Sequence, residues 1–473
     1  MKKYKILVQR ADKLGDIICS LPAIESIKEK YPDSEIHFLT SPIGKDLLEN
    51  HHQISHILVC QWKNDQLTNE SDLLNQIKAN RYDFYISLWN HPSMARLGKK
   101  ATIPVRVGDK SFFFRSFNYT HPVEQYWSDY TRHQIEFNLD LLKPLGIQSE
   151  LKSATIPVSS SVKKAIKEKL KKSIDSTKKT IFILCSTGGS NHPVPFNYVL
   201  QFIKDIQSNG QFNIILGGNS EDDQFKLFKD DSVVNLINST NMAELIASIS
   251  ISDYYIGPDS GPTHIASFLN KPILFISTMK QNPPCRWGPL STSFRIVRKE
   301  YNIPVKKITD FDSQRFYGFL EGHTLYNEFL ELVYSHSSGT VLSKSKIKSL
   351  HLLHSLRVLY IARSNKEYEK VKALESGFYS KGLRVFTYHV DTFSWQNLIQ
   401  LFYLMNYHNI NVIQGDIQSY VVSVLKLYMG VWNQYIKPIY VSTELFPDCS
   451  LSDLLEMYQG LFNKKTLYKV DFQ

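Results

Sequence analysis

Ile6-Leu7-Val8, followed by Arg10-Ala11-Asp12-Lys13-Leu14-Gly15-Asp16-Ile17-Ile18, joins a short apolar run to a periodic segment that continues through Leu21 and Ile24. The run reads as a buried strand and the periodic segment as an amphipathic helix over Ile17 to Lys30. In open α/β sheets, ligands bind in the crevice at the carboxyl ends of the strands, so Asp16 in this first turn faces a ligand site rather than the core. A second turn of the same kind lies downstream. There Tyr255-Ile256-Gly257 runs through Pro258-Asp259-Ser260-Gly261-Pro262-Thr263-His264 into the helix Ile265 to Leu269. Two such turns predict two facing domains.

The rest of the chain alternates short β-branched runs with longer periodic segments, the pattern of doubly wound α/β domains. The first set of expected strands is Ile6–Val8, Glu35–Leu39, His56–Val59, Phe84–Ser87 and Val105–Val107, with a helix over Leu73 to Ala79. The second set is Thr180–Leu184, Phe212–Leu216, Val233–Asn235, Tyr254–Ile256 and Pro272–Ile276. The polar stretch Ser337 to Lys348 reads as a linker. Beyond it the pattern restarts at Arg357–Ile361, Leu383–Phe386, Asn411–Ile413 and Lys437–Val441, with a helix over Ser419 to Tyr428.

Composition bounds the function without naming it. At 473 residues the chain is too long for one core, and 42% hydrophobic with 21% charged residues is ordinary for a globular protein. There is no run of 18 apolar residues, and Met1-Lys2-Lys3-Tyr4-Lys5 leads straight into a strand, so neither a membrane span nor a secretory signal is expected. The five cysteines, Cys19, Cys60, Cys185, Cys285 and Cys449, have neither Cys-x-x-Cys nor metal-ligand spacing, which fits free thiols in a reducing cytoplasm. A net charge of +10 points to an anionic partner. Part of it is concentrated in residues 163–172, a solvated linker helix or a contact with an anionic leaflet. No zinc-finger, RNP-like or helix-turn-helix pattern supports nucleic-acid binding. Neither first turn carries Gly-x-Gly-x-x-Gly, which sets aside a dinucleotide-dependent dehydrogenase.

Several spaced motifs carry a family resemblance. Arg10 to Asp16, Leu21-Pro22-Ala23-Ile24 and Tyr31 to Ile36 resemble the amino-terminal signature of glycosyltransferase family 9, the lipopolysaccharide heptosyltransferases. Asp259-Ser260-Gly261-Pro262-Thr263-His264-Ile265-Ala266 resembles the second signature, with Ser260 in place of a threonine. Arg106-Val107-Gly108, Leu141-Leu142 before Leu145-Gly146-Ile147, and Leu216-Gly217-Gly218 before Glu221 agree in order, so the resemblance spans roughly residues 1 to 335. It implies a GT-B architecture. Residues 1–158 would form a Rossmann-like acceptor domain and 176–336 a Rossmann-like nucleotide-sugar donor domain, with 350–473 a smaller additional α/β domain. A late helix, Thr324 to Tyr334, would cross back to the first domain, and a chain ending near His336 would still fold.

The resemblance also implies an inverting, metal-independent transfer of heptose from ADP-heptose to an anionic lipopolysaccharide acceptor. Other readings are a different nucleotide sugar, or a noncatalytic glycan-binding scaffold. The enzyme would work in the cytoplasm or peripherally at the inner-membrane face, with no cofactor beyond its nucleotide-sugar co-substrate. Such a transfer needs a base near the acceptor oxygen and stabilisation of a leaving diphosphate.

Asp16 is the family's base, although by local pattern alone it could equally cap its helix. Arg10, Lys13 and Arg106 would meet the acceptor. Ser260, Gly261 and Pro262, beside Asp259 and His264, would hold the diphosphate at a helix amino terminus. Thr187 and Gly188 form a second small-residue turn. His192 stands where the family carries a phosphate-binding lysine, and Val194 where it carries a tryptophan. Gly218 precedes Glu221, which matches a ribose-binding acid, and Met242 would lie against the donor's nucleobase or pack in the core. The only Asp-x-Asp, Asp310-Phe311-Asp312, falls in an expected loop.

Overall fold

The computed structural model describes residues 3–111, 113–127, 129, 131–187, 194–277, 283–298, 323–355 and 357–362. Beyond these it describes 366, 368, 369, 371, 384–389, 412–415 and 440–442. The strands β1 Lys5–Gln9, β2 Glu35–Thr40, β3 His56–Val59, the hairpin β4 Trp62–Lys63 and β5 Gln66–Leu67, β6 Phe84–Ser87, β7 Val105–Asp109 and β8 His121–Val123 belong to the first lobe. Apart from the hairpin they form one parallel sheet of order β3-β2-β1-β6-β7-β8. The second lobe repeats the plan. Its strands β9 Lys179–Leu184, β10 Phe212–Gly217, β11 Val233–Asn235, β12 Tyr254–Pro258, β13 Ile273–Ser277 and β14 Phe294–Arg298 are ordered β11-β10-β9-β12-β13-β14.

In each sheet the strand order reverses beside the first strand. The carboxyl-end crevice at that reversal is where doubly wound sheets bind ligands. In the first lobe it lies between β1 and β6, in the second between β9 and β12. Parallel strands covered on both faces need continuous apolar runs, and Ile6, Leu7 and Val8 are fully buried, as are Ile181 and Phe182. A third sheet, β16-β15-β17-β18, is built from β15 Arg357–Ala362, β16 Arg384–His389, β17 Val412–Gly415 and β18 Tyr440–Ser442, again parallel. The helix expected over Ser419 to Tyr428 and the Asp310-Phe311-Asp312 stretch lie outside the described residues.

Three expectations need correction. The helix expected over Ile17 to Lys30 is broken into Leu14–Ile18 and Leu21–Lys30. Pro22 sits in the first turn of the second piece, where its missing N–H is tolerated, and cannot continue the first. The helix expected to cross back, Thr324–Ser337, instead buries Phe329 and Leu332 in the second lobe, with Phe329 edge-on to Phe202 at 5.7 Å between ring centroids. The segment that reaches the first lobe is Lys344–Ser355, part of which reads as polar linker. Its Lys348 pairs with Glu136 at 2.8 Å, and Ile347 and His351 are buried. The edge strands β8 and β14 were not expected; Pro122 in β8 is of the kind that edges tolerate, while β14 is a short, largely apolar strand, Phe294–Arg298.

The lobes are packed together. Arg286 NH2 donates to the carbonyls of Trp127 and Asp129 at 3.0 and 2.9 Å, and its guanidinium lies 4.1 Å from the centre of the Phe137 ring. His133 Nε2 lies 3.1 Å from the Gly288 carbonyl oxygen. Among the described residues, no helix is long and apolar enough to cross a membrane.

Candidate active site in the interlobe cleft

The two sequence turns meet. Gly15 sits so close to the second lobe that a Cβ there would lie 3.0 Å from His264 Cδ2. A Cβ on Gly261 would lie 2.6 Å from Leu14 Cδ2. These glycines let the amino termini of helices Leu14–Ile18 and Gly261–Phe268 touch across the cleft, which requires backbone without side chain on both sides. Around the contact lies a cavity of about 820 Å³. From the first lobe it is lined by Asp12, Lys13, Leu14, Gly15, Asp16, Ile43 and Trp89. The second lobe contributes Ser186, Thr187, Gly218, Asn219, Thr240, Asn241, Met242, Leu245, Asp259, Ser260, Gly261, Pro262, His264 and Trp287. Asp16 and Trp89 follow β1 and β6, while Thr187 and Asp259 follow β9 and β12. Both reversal points therefore open into one cavity.

Asp16 is the third residue of its helix; the N-cap position is Lys13, whose side chain makes no cap bond. The capping alternative thus gives way to another partner. Arg10 NH2 donates to Asp16 Oδ1, and Arg10 also grips Asp12 through Nε at 2.7 Å and NH2 at 2.8 Å. Its NH1 donates to the Leu88 carbonyl at 2.5 Å. Burial pushes the Asp16 carboxyl up to about 6, against the pull of Arg10 and with the help of the neighbouring Asp12 charge. A carboxylate poised there is matched to proton transfer near neutral pH.

Across the cleft, His264 is buried and pushed down to about 4 by desolvation, so its imidazole is neutral. Its Nε2 lies 3.7 Å from Asp259 Oδ1, and its ring is 6.0 Å from that of Trp287. Helix Gly261–Phe268 starts at Ser260 with no side-chain cap and Pro262 in its first turn, so the positive end of its dipole opens on the cavity. Thr263, inside that turn, is buried, with its hydroxyl on the Pro258 carbonyl at 2.6 Å. Gly218 has φ +99°, and a Cβ there would meet Ser186 Oγ at 2.5 Å, so the β10 turn requires glycine.

Three residues expected at the site lie away from the cavity. Arg10 is 4% exposed and turned to Asp12, Asp16 and Leu88, so it supports the carboxylate rather than meeting an acceptor. Arg106, inside β7, spends its guanidinium on the carbonyls of Asn118 and Ile103, at 2.8 and 2.5 Å. Glu221 points to solvent beside Lys226. The cause is the paired bonding of Ser220 and Asn238, at 2.9 and 2.8 Å, which leaves Asn219 as the residue of that turn facing the cavity. Gly188 and His192 lie outside the described residues. Sequence reasoning missed Trp89, Asn241 and Trp287. Trp89 had a usable signal, since it follows the strand that flanks β1 at the reversal point; Asn241 begins an Asn-x-x-Glu capping box.

Two Rossmann-like sheets facing across a cleft form the GT-B architecture. The chain matches the family model for glycosyltransferase family 9 (heptosyltransferase) over residues 71–313. It is 25% identical over 311 residues to a putative glycosyltransferase of Haemophilus influenzae, covering 61% of this chain and 86% of the relative. To lipopolysaccharide heptosyltransferase 3 of Escherichia coli it is 22% identical over 296 residues, covering 59% of this chain and 84% of that one. The solved E. coli ADP-heptose lipopolysaccharide heptosyltransferase II superposes with a TM-score of 0.56 at 18% identity, covering 70% of this chain and 99% of that structure. The chain belongs to glycosyltransferase family 9 and is a glycosyltransferase. The family model begins downstream of Leu14-Gly15-Asp16, whose role rests on the site geometry and the motif.

Proposed function

We propose that the protein is an inverting heptosyltransferase that moves heptose from ADP-heptose to the inner core of lipopolysaccharide, with Asp16 as the base and no metal in the chemical step. The observation that carries this reading is the meeting of Asp16 with the Asp259 to His264 turn in one cavity. The acceptor hydroxyl gives its proton to the Asp16 carboxylate as its oxygen bonds to the anomeric carbon from the face opposite the donor. The bond from that carbon to the diphosphate breaks, and the departing charge lies at the helix terminus of Ser260 to Pro262. His264, being neutral, offers a hydrogen bond rather than a charge. Thr187, the Gly218 turn and Met242 line the donor side, and Asp259 faces the donor sugar. Lys13, exposed at the cavity mouth, supplies positive charge to donor or acceptor phosphate.

The relatives' names support heptose and lipopolysaccharide as the first substrates to try. The test is incubation of the purified chain with a panel of nucleotide sugars and a heptose-deficient lipopolysaccharide core. Transfer from ADP-heptose with inversion, undiminished by a chelator, supports the reading. Transfer only from another nucleotide sugar would replace the donor, and binding of core glycan without any transfer would leave a scaffold.

A further inference from the structure

Between β7 and β8 the sequence reads Lys110-Ser111-Phe112-Phe113-Phe114-Arg115-Ser116-Phe117. Phe114 is 84% exposed and Phe117 is 59% exposed; after β8, Tyr126 is 50% exposed. Scattered apolar residues on a surface need no explanation, but two phenylalanines three residues apart, so open to water, do. The ring beside them is used differently: Trp127 stacks on Phe137 and donates to Asp109 Oδ2 at 2.8 Å. The segment leaves the carboxyl end of β7, the same edge of the first sheet that opens on the cavity.

Two basic side chains flank it. Arg96 and Lys99 are exposed on the adjoining helix Pro92–Lys100. They bond to neutral oxygens, Arg96 to Ser93 Oγ at 3.5 Å and Lys99 to the Phe117 carbonyl at 3.2 Å. Nearby Lys100 and Lys110 are matched by Glu70 and Glu124. Exposed rings set among basic side chains are complementary to an anionic bilayer, whose headgroup layer takes the rings while its phosphates meet the cations. The basic helix Ser160–Leu170 has charge but no large apolar side chain exposed.

We propose that this rim of the first lobe is where the enzyme rests on an anionic lipid bilayer, with Phe114 and Phe117 entering the headgroup boundary and Arg96 and Lys99 facing lipid phosphate. The proposal deepens the reading of the acceptor as a lipid-anchored glycan, yet its first test needs neither donor nor acceptor. The full chain is floated with vesicles of phosphatidylglycerol and phosphatidylcholine in equal parts, and with phosphatidylcholine alone. Binding should be confined to the anionic vesicles, weaken with salt, and fall about tenfold or more in Phe114→Ala/Phe117→Ala. Arg96→Glu/Lys99→Glu should lose binding with both rings intact. A thermal melt checks that both variants fold.

In a second arm, Phe114→Ala/Phe117→Ala should lose transfer to vesicle-embedded acceptor and keep transfer to a water-soluble core fragment. Wild-type binding that ignores lipid charge, or that survives loss of both rings, would overturn the proposal. So would a dimer in vesicle-free solution that the ring substitutions dissociate, since the rim would then be an interface between copies. Failure of transfer in every variant, wild type included, would refute the sugar reading and leave the flotation result standing.

Discussion

Asp16→Asn should make the protein more stable while disabling it. The carboxyl titrates at about 6 in the fold against an ordinary 3.8, because burial penalises its charge more than Arg10 rewards it. The unfolded chain therefore ionises first, and as pH rises from about 4 to about 6 the folded state binds more protons than the unfolded one, so stability falls through that window. One pH unit is worth about 1.4 kcal/mol, which sets the cost of keeping Asp16 charged at about 3 kcal/mol above pH 6. Asparagine keeps the shape and an oxygen for Arg10, which retains both bonds to Asp12. At pH 7.5 the melting midpoint should rise by several degrees, less than the roughly 6 to 12 °C that the same energy would give a lone domain of about 150–250 residues, because the two packed lobes melt together. Below pH 4 the two proteins should melt alike. Scanning calorimetry at several pH values reads this directly. A variant that is less stable at pH 7.5, or offset by the same amount at every pH, would refute the reasoning and make Asp16 a structural ion-pair residue.

Because the base must be ionised, kcat/KM should fall on the acid side with a midpoint near pH 6; Arg10→Gln removes the cation that holds that midpoint down and should move it to higher pH, which a pH–rate profile checks. Gly261→Ala drives a methyl into Leu14 and should cost about 1–3 kcal/mol of stability or part the two helix termini, lowering turnover more than donor affinity, as steady-state kinetics and a thermal melt would reveal. A chain ending at His336 lacks the helix that buries Ile347 and His351 and should melt earlier than one ending at Ser355, by circular dichroism; equal melting would mean that this helix adds nothing to the packing of the lobes.

The parallel sheets were legible because buried strands such as Ile6–Val8 and Ile181–Leu184 must be apolar on both faces. One edge was not. β8, His121–Val123, lies at an edge and is mostly exposed, so its composition is little constrained, whereas β14, Phe294–Arg298, buries Phe294 and Val297 and was simply missed as a strand. The site was legible where backbone geometry demands particular residues, as at Leu14-Gly15-Asp16 and Ser260-Gly261-Pro262. It was illegible where long side chains choose between partners. Nothing in the order of residues says that Arg10 turns back to Asp12 and Asp16, that Arg106 binds its own lobe's carbonyls, or that Asn219 rather than Glu221 faces the cavity. The Lys344–Ser355 helix was hidden for a related reason: its first residues, up to Lys348, are polar enough to read as linker, and its buried side includes the polar His351 and Ser355, whose burial depends on the surface they cover.

One proton transfer, from the acceptor hydroxyl to Asp16, carries the proposed chemistry of the cleft. The direct measurement is turnover of Asp16→Asn beside wild type, at saturating ADP-heptose and core acceptor, near pH 8. A drop of about 10² to 10⁴ in kcat, with donor affinity and fold preserved, is the predicted result. Turnover within a few-fold of wild type would contradict the assignment of Asp16 as the base and with it the proposed chemistry of the cleft.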